Sequence, residues 1–345
     1  MAADMEGRLN RQWRIARWPK GLSSDADFQW TESPAPRPGP GQVLVQNKFL
    51  SLDPTNRVWL WERDSYLPQQ QLGDVMRGIG VGRVVEANNA ALAVGTPVYG
   101  VFGWQDYALV GPNDLVLPLS DDPNIPLTMQ LGLFGHIGLT AYIGLFDIAR
   151  IGAGETLVVS GAAGAVGSLV GQIGKIMGCR VIGVAGTDEK CRWITDELGF
   201  DAAINYRTEK PLLKALTREI REGIDVYWEN VGGETLEAVL QLMKLRGRVV
   251  MCGGIAAYNE SDSNAHGSHC VRNIAEIVIK RVRLEGFVCL DYLDRAGEAF
   301  GALSKWHQEG KLNYRVHVVN GLQHAPEAMN MLFDGRNNGK LIIEV

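Results

Sequence analysis

Two rhythms of apolar and polar positions divide the 345-residue chain. Up to about residue 125, apolar residues come in short alternating runs separated by turn formers. The stretch Pro34-Ala35-Pro36-Arg37-Pro38-Gly39-Pro40-Gly41 is turn-rich, and residues 42–49 then alternate as a strand. Residues 78–85 and 94–101 read as further strands, the latter with Gly95 and Pro97 near its start. Short strands at regular spacing with Gly/Pro turns predict a small β-barrel.

From Thr156 the period changes. Residues 156–160 form a continuous apolar run of the buried-strand kind, and Val166, Leu169, Val170, Ile173, Ile176 and Met177 then fall on one face of a helix. Strands follow at 180–185, 202–205, 224–228, 248–252 and 283–290, the last being the sixth of the series. Helical stretches lie between them, to Leu198, to about Ile220, over 234–243 and around 274–279. Strand–helix alternation at this spacing predicts βαβ units and a parallel six-stranded sheet covered on both faces. After about residue 310 the pattern is strand-like again, at 314–319 and 340–345. The expected architecture is an α/β, doubly wound Rossmann domain (126–310) inserted into a β-rich domain made from both chain ends (1–125 plus 311–345).

Composition narrows the class. Hydrophobic residues make up 46% and charged residues 21%, so the chain can bury a large core and is not disordered. A net charge of -5 without long like-charge runs argues against nucleic acid or an anionic membrane as partner. No segment approaches the roughly 18 consecutive apolar residues of a membrane span. Arg8, Arg11, Arg14 and Arg17 could suggest a mitochondrial presequence; Asp4 and Glu6 weaken that, and a surface strand is the favoured reading. The five cysteines are odd in number and lack a close pair, which suits a reduced, cytoplasmic setting.

The central motif is Leu157-Val158-Val159-Ser160-Gly161-Ala162-Ala163-Gly164-Ala165-Val166-Gly167. A strand must turn sharply into a helix, and its backbone must approach a pyrophosphate; both demands remove side chains. The helix N-terminus then offers N–H donors and positive potential. Ala162 occupies the first glycine position, so the motif gains its weight from its setting between strand and helix. The other glycine-rich stretch, Gly78, Gly80 and Gly82, has no helical stripe after it and reads as a barrel strand. The second strand ends in Ala185-Gly186-Thr187, where an NAD site would place a carboxylate, and Lys190 and Arg192 follow. This favours NADP(H). Asp188 is the contrary sign, unless it is simply a first-turn acid.

No cysteine precedes Cys179, so neither a catalytic nor a structural zinc set can be assembled there. His266, His269 and Cys270 sit in a Ser/Asn/Gly loop and read as solvated. The metal expectation is none. Hydrogen bonds must then polarise the substrate, which favours reduction of an activated C=C bond over alcohol oxidation. Tyr206-x-x-x-Lys210 mimics the acid pair of short-chain reductases, but it falls at the end of the third strand, on the adenosine side.

These residues carry a resemblance along nearly the whole chain. It rests on Asn10-Arg11-Gln12-Trp13, Ser51-Leu52-Asp53-Pro54 with Arg57, Gly73-Asp74-Val75-Met76-Arg77-Gly78 and Gly138-Leu139-Thr140-Ala141-Tyr142. It continues through the glycine turn, Gly186-Thr187-Asp188-Glu189-Lys190, Asn205-Tyr206-Arg207-Thr208, Asn230-Val231-Gly232-Gly233, Cys252-Gly253-Gly254-Ile255 with Tyr258-Asn259, and Asn337-Asn338-Gly339-Lys340. The chain resembles the zinc-independent branch of the medium-chain dehydrogenase/reductase superfamily, in the group of prostaglandin, alkenal double-bond and curcumin reductases. The resemblance implies a GroES-like β-barrel domain carrying the Rossmann domain. It also implies that Gly164, Ala165, Val166 and Gly167 hold the pyrophosphate, and that Lys190 and Tyr206 bind the 2′-phosphate. Asn230, Cys252, Gly253, Gly254, Ile255 and Tyr258 would line the nucleotide groove. Phe287, Val288 and Cys289 would lie by the nicotinamide, with Asn337 reaching it from the C-terminal segment.

The activity implied is NADPH-dependent reduction of the C=C bond of an enone or enal. Where many relatives have tyrosine after Ser-x-Asp-Pro, this chain has Thr55-Asn56. That leaves Tyr258 and Tyr66 as candidate catalytic hydrogen-bond donors, each with pocket lining as the alternative. Two other functions are weighed: a quinone oxidoreductase of the same superfamily, and a non-catalytic NADPH-binding redox sensor. A homodimer is expected through the edge strand 286–290.

Overall fold

The computed structural model describes residues 7–260 and 271–345. Asp4, Glu6, His266, His269 and Cys270 lie outside the described residues. In chain order the strands are β1 (Leu9–Ile15), β2 (Phe28–Pro34), β3 (Val43–Ser51), β4 (Ile79–Ala87), β5 (Pro97–Val101), β6 (Tyr107–Val110) and β7 (Val116–Pro118). Then follow β8 (Thr156–Ser160), β9 (Arg180–Ala185), β10 (Ala202–Asn205), β11 (Ile224–Glu229), β12 (Met243–Met251) and β13 (Arg283–Gly286), and finally β14 (Val316–Asn320) and β15 (Lys340–Glu344).

Two compact units result. One holds the described residues through Gly132 with Val316–Arg336 and Lys340–Val345; the other holds those of Leu133–Arg315 with Asn337–Gly339. In the first unit a seven-stranded sheet runs β14-β15-β3-β4-β5-β7, with β6 also on β3. All its pairs are antiparallel except β14 with β15. The glycine stretch 78–82 feeds β4, as a barrel strand should: a Cβ at Gly82 would lie 2.2 Å from the Gln46 carbonyl oxygen, so only glycine lets β4 close on β3.

The second unit is a parallel sheet in the order β10-β9-β8-β11-β12-β13, the doubly wound order that reverses at the β8 end. Strand β8 is buried at every position, which is why its sequence reads as one apolar run. The helix Ala165–Ile176 packs its apolar face on this sheet, and Gly171 faces the Phe200 ring, where a Cβ would lie 1.8 Å from Cζ.

Several expectations need correction. The sixth strand ends at Gly286 rather than Leu290, and tight helical turns over Cys289–Arg295 follow it. Its partner β12 ends at Met251, because the N–H groups of Cys252 and Gly253 both turn to the Glu229 carbonyl, leaving nothing for residues 287–290 to pair with. The helix expected over 234–243 stops at Leu240, since Met243 already pairs with Ile224. Beyond residue 310 the chain is not only strand: a helix spans Ala325–Asp334, with Pro326 in its first turn. Among the described residues no helix is long and apolar enough to cross a membrane.

Candidate cofactor site and substrate-side residues

In the second unit, the chain leaves β8 at the fully buried Ser160 and turns through Gly161, whose φ of 59° is left-handed. Gly164 N–H donates to the Gly161 carbonyl at 2.9 Å, and Gly164 then caps the helix Ala165–Ile176 without a side chain of its own. The first-turn N–H groups of Ala165, Val166 and Gly167 thus meet no capping side chain, which is what an anion at a helix N-terminus requires. A Cβ at Gly167 would lie 2.4 Å from the Gly161 oxygen and 3.0 Å from Ala162 Cα, so helix and turn touch backbone to backbone. The segment Asn337–Gly339 lies beside this turn through a parallel bridge between Gly164 and Gly339. Asn337 is buried there, and its side-chain amide donates to the Gly339 carbonyl at 3.1 Å.

At the end of β9, Thr187 caps the five-residue helix Asp188–Arg192 by accepting from Lys190 N–H at 3.2 Å. The Tyr206 ring covers Gly186: a Cβ on that glycine would be 3.1 Å from the tyrosine hydroxyl. Tyr206 is itself 41% exposed, with the Arg207 guanidinium 5.8 Å from its ring centre. Asp188 Oδ1 accepts from the Asn205 side-chain amide at 2.6 Å. The acid that spoke for a ribose contact is therefore engaged by its neighbour on β10.

The remaining residues expected to line the nucleotide are linked at the ends of β11, β12 and β13. Asn230 is pinned to the glycine turn, since its N–H donates to Ser160 Oγ at 2.9 Å and its amide to the Ser160 carbonyl at 2.6 Å. Its carbonyl accepts from Ile255 N–H at 3.1 Å. The hydroxyl of Tyr258 accepts from Gly254 N–H at 3.0 Å and packs over Gly253. The Phe287 ring meets Trp228 edge-on at 6.1 Å, and Trp228 Nε1 donates to Asn230 Oδ1 at 3.2 Å. Val288 contributes a carbonyl that accepts from Asp291 N–H. Burial, with a smaller contribution from Cys289, pushes the Cys252 thiol up to about 12, so it is no nucleophile near neutral pH.

Two residues of this region were not singled out from the sequence. Ser160 Oγ donates to Glu229 Oε1 at 2.9 Å, and Val231 N–H donates to the same oxygen at 2.5 Å. Glu229 is fully buried, and that burial raises its carboxyl pKa. The available signal was a charge closing the apolar run of β11, at the edge of the predicted strand.

Tyr66, the other catalytic candidate, lies in the first unit and is 45% exposed. Its hydroxyl meets Thr55 Oγ1. The Thr55 turn is anchored by its neighbours. Asp53 N–H donates to Asn56 Oδ1 at 2.7 Å, and Ser51 Oγ donates to Asp53 Oδ2. Lys340 Nζ donates to Asp53 Oδ1 at 2.7 Å and to the Leu52 carbonyl at 2.9 Å. The buried Arg57 holds the carbonyls of Pro19 and Gly21.

A doubly wound parallel sheet whose buried first strand turns through glycines into a helix with no side-chain cap is the arrangement of dinucleotide-dependent dehydrogenases and reductases. The chain belongs to the medium-chain dehydrogenase/reductase family. Residues 11–117 match the family model described as the N-terminal domain of oxidoreductase, and residues 165–305 the one described as zinc-binding dehydrogenase. The chain is 41% identical to NADPH-dependent curcumin reductase of Escherichia coli over 97% of each chain. It is 38% identical to the NADP(+)-dependent 2-alkenal reductase of Nicotiana tabacum, over 89% of this chain and 88% of the relative. Among solved structures it is similar to CurA from Vibrio vulnificus in complex with NADPH, at a TM-score of 0.91 and 39% identity, covering 97% of this chain and 99% of that one. Among the described residues no three His, Cys, Asp or Glu side chains stand together as a metal would need.

Proposed function

We propose that this chain uses NADPH to reduce the C=C bond of α,β-unsaturated ketones and aldehydes, without a metal. The carrying observation is the glycine turn with its uncapped helix, followed by Tyr206 over Gly186, Lys190 in the helix after it, and an Asp188 already engaged by Asn205. When bound, NADPH supplies hydride to the substrate β-carbon. The chain's part is to bind and orient. Gly164, Ala165, Val166 and Gly167 receive the pyrophosphate on backbone N–H groups, and Lys190 and Tyr206 take the 2′-phosphate. Asn230, the Cys252–Ile255 turn, Phe287, Val288, Cys289 and Asn337 form the walls along the nucleotide. Tyr258, held by Gly254 N–H, or Tyr66, held against Thr55, is the hydroxyl offered to the oxygen on which negative charge develops. The relatives' names support the reading: one is a 2-alkenal reductase, and NADP(H) is named for all three.

Lys190→Ala tests the cofactor half. Loss of one charge-assisted phosphate contact should raise KM for NADPH about tenfold, roughly 1.4 kcal/mol, and leave KM for NADH nearly unchanged. Equal changes for both cofactors would remove the 2′-phosphate role.

The same proposal includes a homodimer in the cytoplasm. Strand β13 is the outer strand of its sheet, and Ile274, Val278, Ile279, Leu290 and Leu293 beside it are exposed apolar side chains. Val278→Asp should shift sedimentation from dimer to monomer; a monomeric wild type would end the dimer reading. The described cysteines Cys179, Cys191, Cys252 and Cys289 are free thiols, which suits a reducing compartment. Cell fractionation that recovers the protein outside the cytosol would overturn that part.

A further inference from the structure

The guanidinium of Arg77 is half-buried, and its side chain makes one hydrogen bond, from Nη2 to the Pro68 carbonyl at 3.0 Å. It lies 5.7 Å from the centre of the buried Trp59 ring. Burial lowers its pKa, and the fields of Tyr66 and Asp74 offset this only in part. Asp74 turns Oδ2 to the N–H of Gln71 at 2.8 Å. No carboxylate among the described residues pairs with Arg77, whereas Arg11, Arg17, Arg83, Arg218, Arg248 and Arg295 each hold one within 4 Å.

A guanidinium that loses water without gaining a carboxylate is unfavourable by itself. Its planar fork favours a bidentate oxygen pair more than a single carbonyl. The Trp59 ring it lies near directly follows the helix Thr55–Val58, at whose start the hydroxyls of Thr55 and Tyr66 meet each other. Two hydroxyl donors would satisfy the carbonyl of a neutral enone; a fork-shaped cation next to them adds recognition of a full negative charge.

We propose that the Arg77 guanidinium, near the Thr55–Tyr66 hydroxyl pair, is a subsite for a carboxylate on the substrate, so that the enzyme prefers acidic enones over neutral ones. This rests on the reductase reading above. The subsite binds and does not react: the carboxylate keeps its charge, and no proton or bond changes place at Arg77.

The test uses a matched pair, an aryl enone with a para-carboxylate and its methyl ester, assayed for NADPH oxidation with the intact chain. The wild type should show kcat/KM for the acid at least about tenfold above that for the ester, the size expected for a desolvated charge-assisted pair. The ratio should fall as sodium chloride is added. Arg77→Gln should lower the acid-to-ester ratio about tenfold or more, and Arg77→Lys should give an intermediate ratio because it keeps the charge but not the fork. A guanidinium that only straps the Pro68 carbonyl would lower both substrates together and leave the ratio unmoved, which overturns the proposal. A wild-type ratio near one also overturns it. Turnover of neither compound would instead defeat the underlying reductase reading, so the two failures are distinguishable. Should Arg77→Gln fold poorly, the Arg77→Lys ratio and the wild-type salt dependence still decide.

Discussion

Replacing Gly167 with valine should weaken NADPH binding at least about a hundredfold, roughly 2.8 kcal/mol. The added Cβ would lie 2.4 Å from the Gly161 oxygen and 3.0 Å from both Gly161 C and Ala162 Cα. All three are backbone atoms of the turn itself, so no side chain can rotate aside. Relief requires the helix Ala165–Ile176 to back away from the turn, and its N–H groups are what the pyrophosphate needs. Gly297 provides the control: it lies in the helix Ala296–Gln308, and a Cβ there meets nothing within 4 Å. Gly297→Ala should leave NADPH affinity unchanged and raise stability slightly, through helix propensity. Fluorescence titration with NADPH reads both variants. Affinity for Gly167→Val within about threefold of wild type would show that the turn does not hold the cofactor.

The second large effect is on stability. Lys340→Met should cost about 3–5 kcal/mol, the range for breaking one partner of a buried ion pair. Lys340 is 1% exposed, and Nζ donates to Asp53 Oδ1 and the Leu52 carbonyl. Without it, the Asp53 carboxylate stays buried with its cation gone. Burial lowers the Lys340 pKa while the Asp53 charge holds it up, the signature of a pair that depends on its partner. Adding Asp53→Asn to Lys340→Met removes the stranded charge and should recover a large part of the loss. Urea unfolding of the intact chain, followed by tryptophan fluorescence, measures both. A single-variant loss below about 1 kcal/mol, the level of an exposed pair, would show that the pair is not a keystone of this unit.

The parts of the fold legible in the sequence are those whose pattern is local. Strands β8, β9 and β10 match their apolar runs residue for residue, because each run is closed by a turn former or a charged side chain. The helix Ala165–Ile176 follows from its stripe. Boundaries set by long-range partners were not legible. Gly286 ends its strand because β12 has already turned toward Glu229, which nothing in residues 283–290 announces. The helix Ala325–Asp334 lies between two strand-like runs that mask it.

The site shows the same division. The glycine turn, Lys190 and Tyr206 can be read within one stretch. Asp188 could not be assigned from position alone, since its role depends on Asn205 across the sheet. Lys340 finds its partner Asp53 at a separation of 287 residues, so no window along the chain pairs them. Glu229 looks like a strand-end charge until Ser160 and Val231 are seen to converge on it. Arg77 lies within Gly73–Gly78, and that no carboxylate among the described residues pairs with it is visible only in three dimensions.

The central claim is that this chain directs hydride to the β-carbon of an activated double bond. Its most direct test is a single incubation of the protein with an aryl enone and NADPH deuterated at the transferable position of C4, the product being analysed by NMR. The account predicts a saturated ketone carrying one deuterium on the former β-carbon, formed with NADPH and far more slowly with NADH. An allylic alcohol with deuterium on the carbonyl carbon, or no transfer to any enone offered, would contradict it.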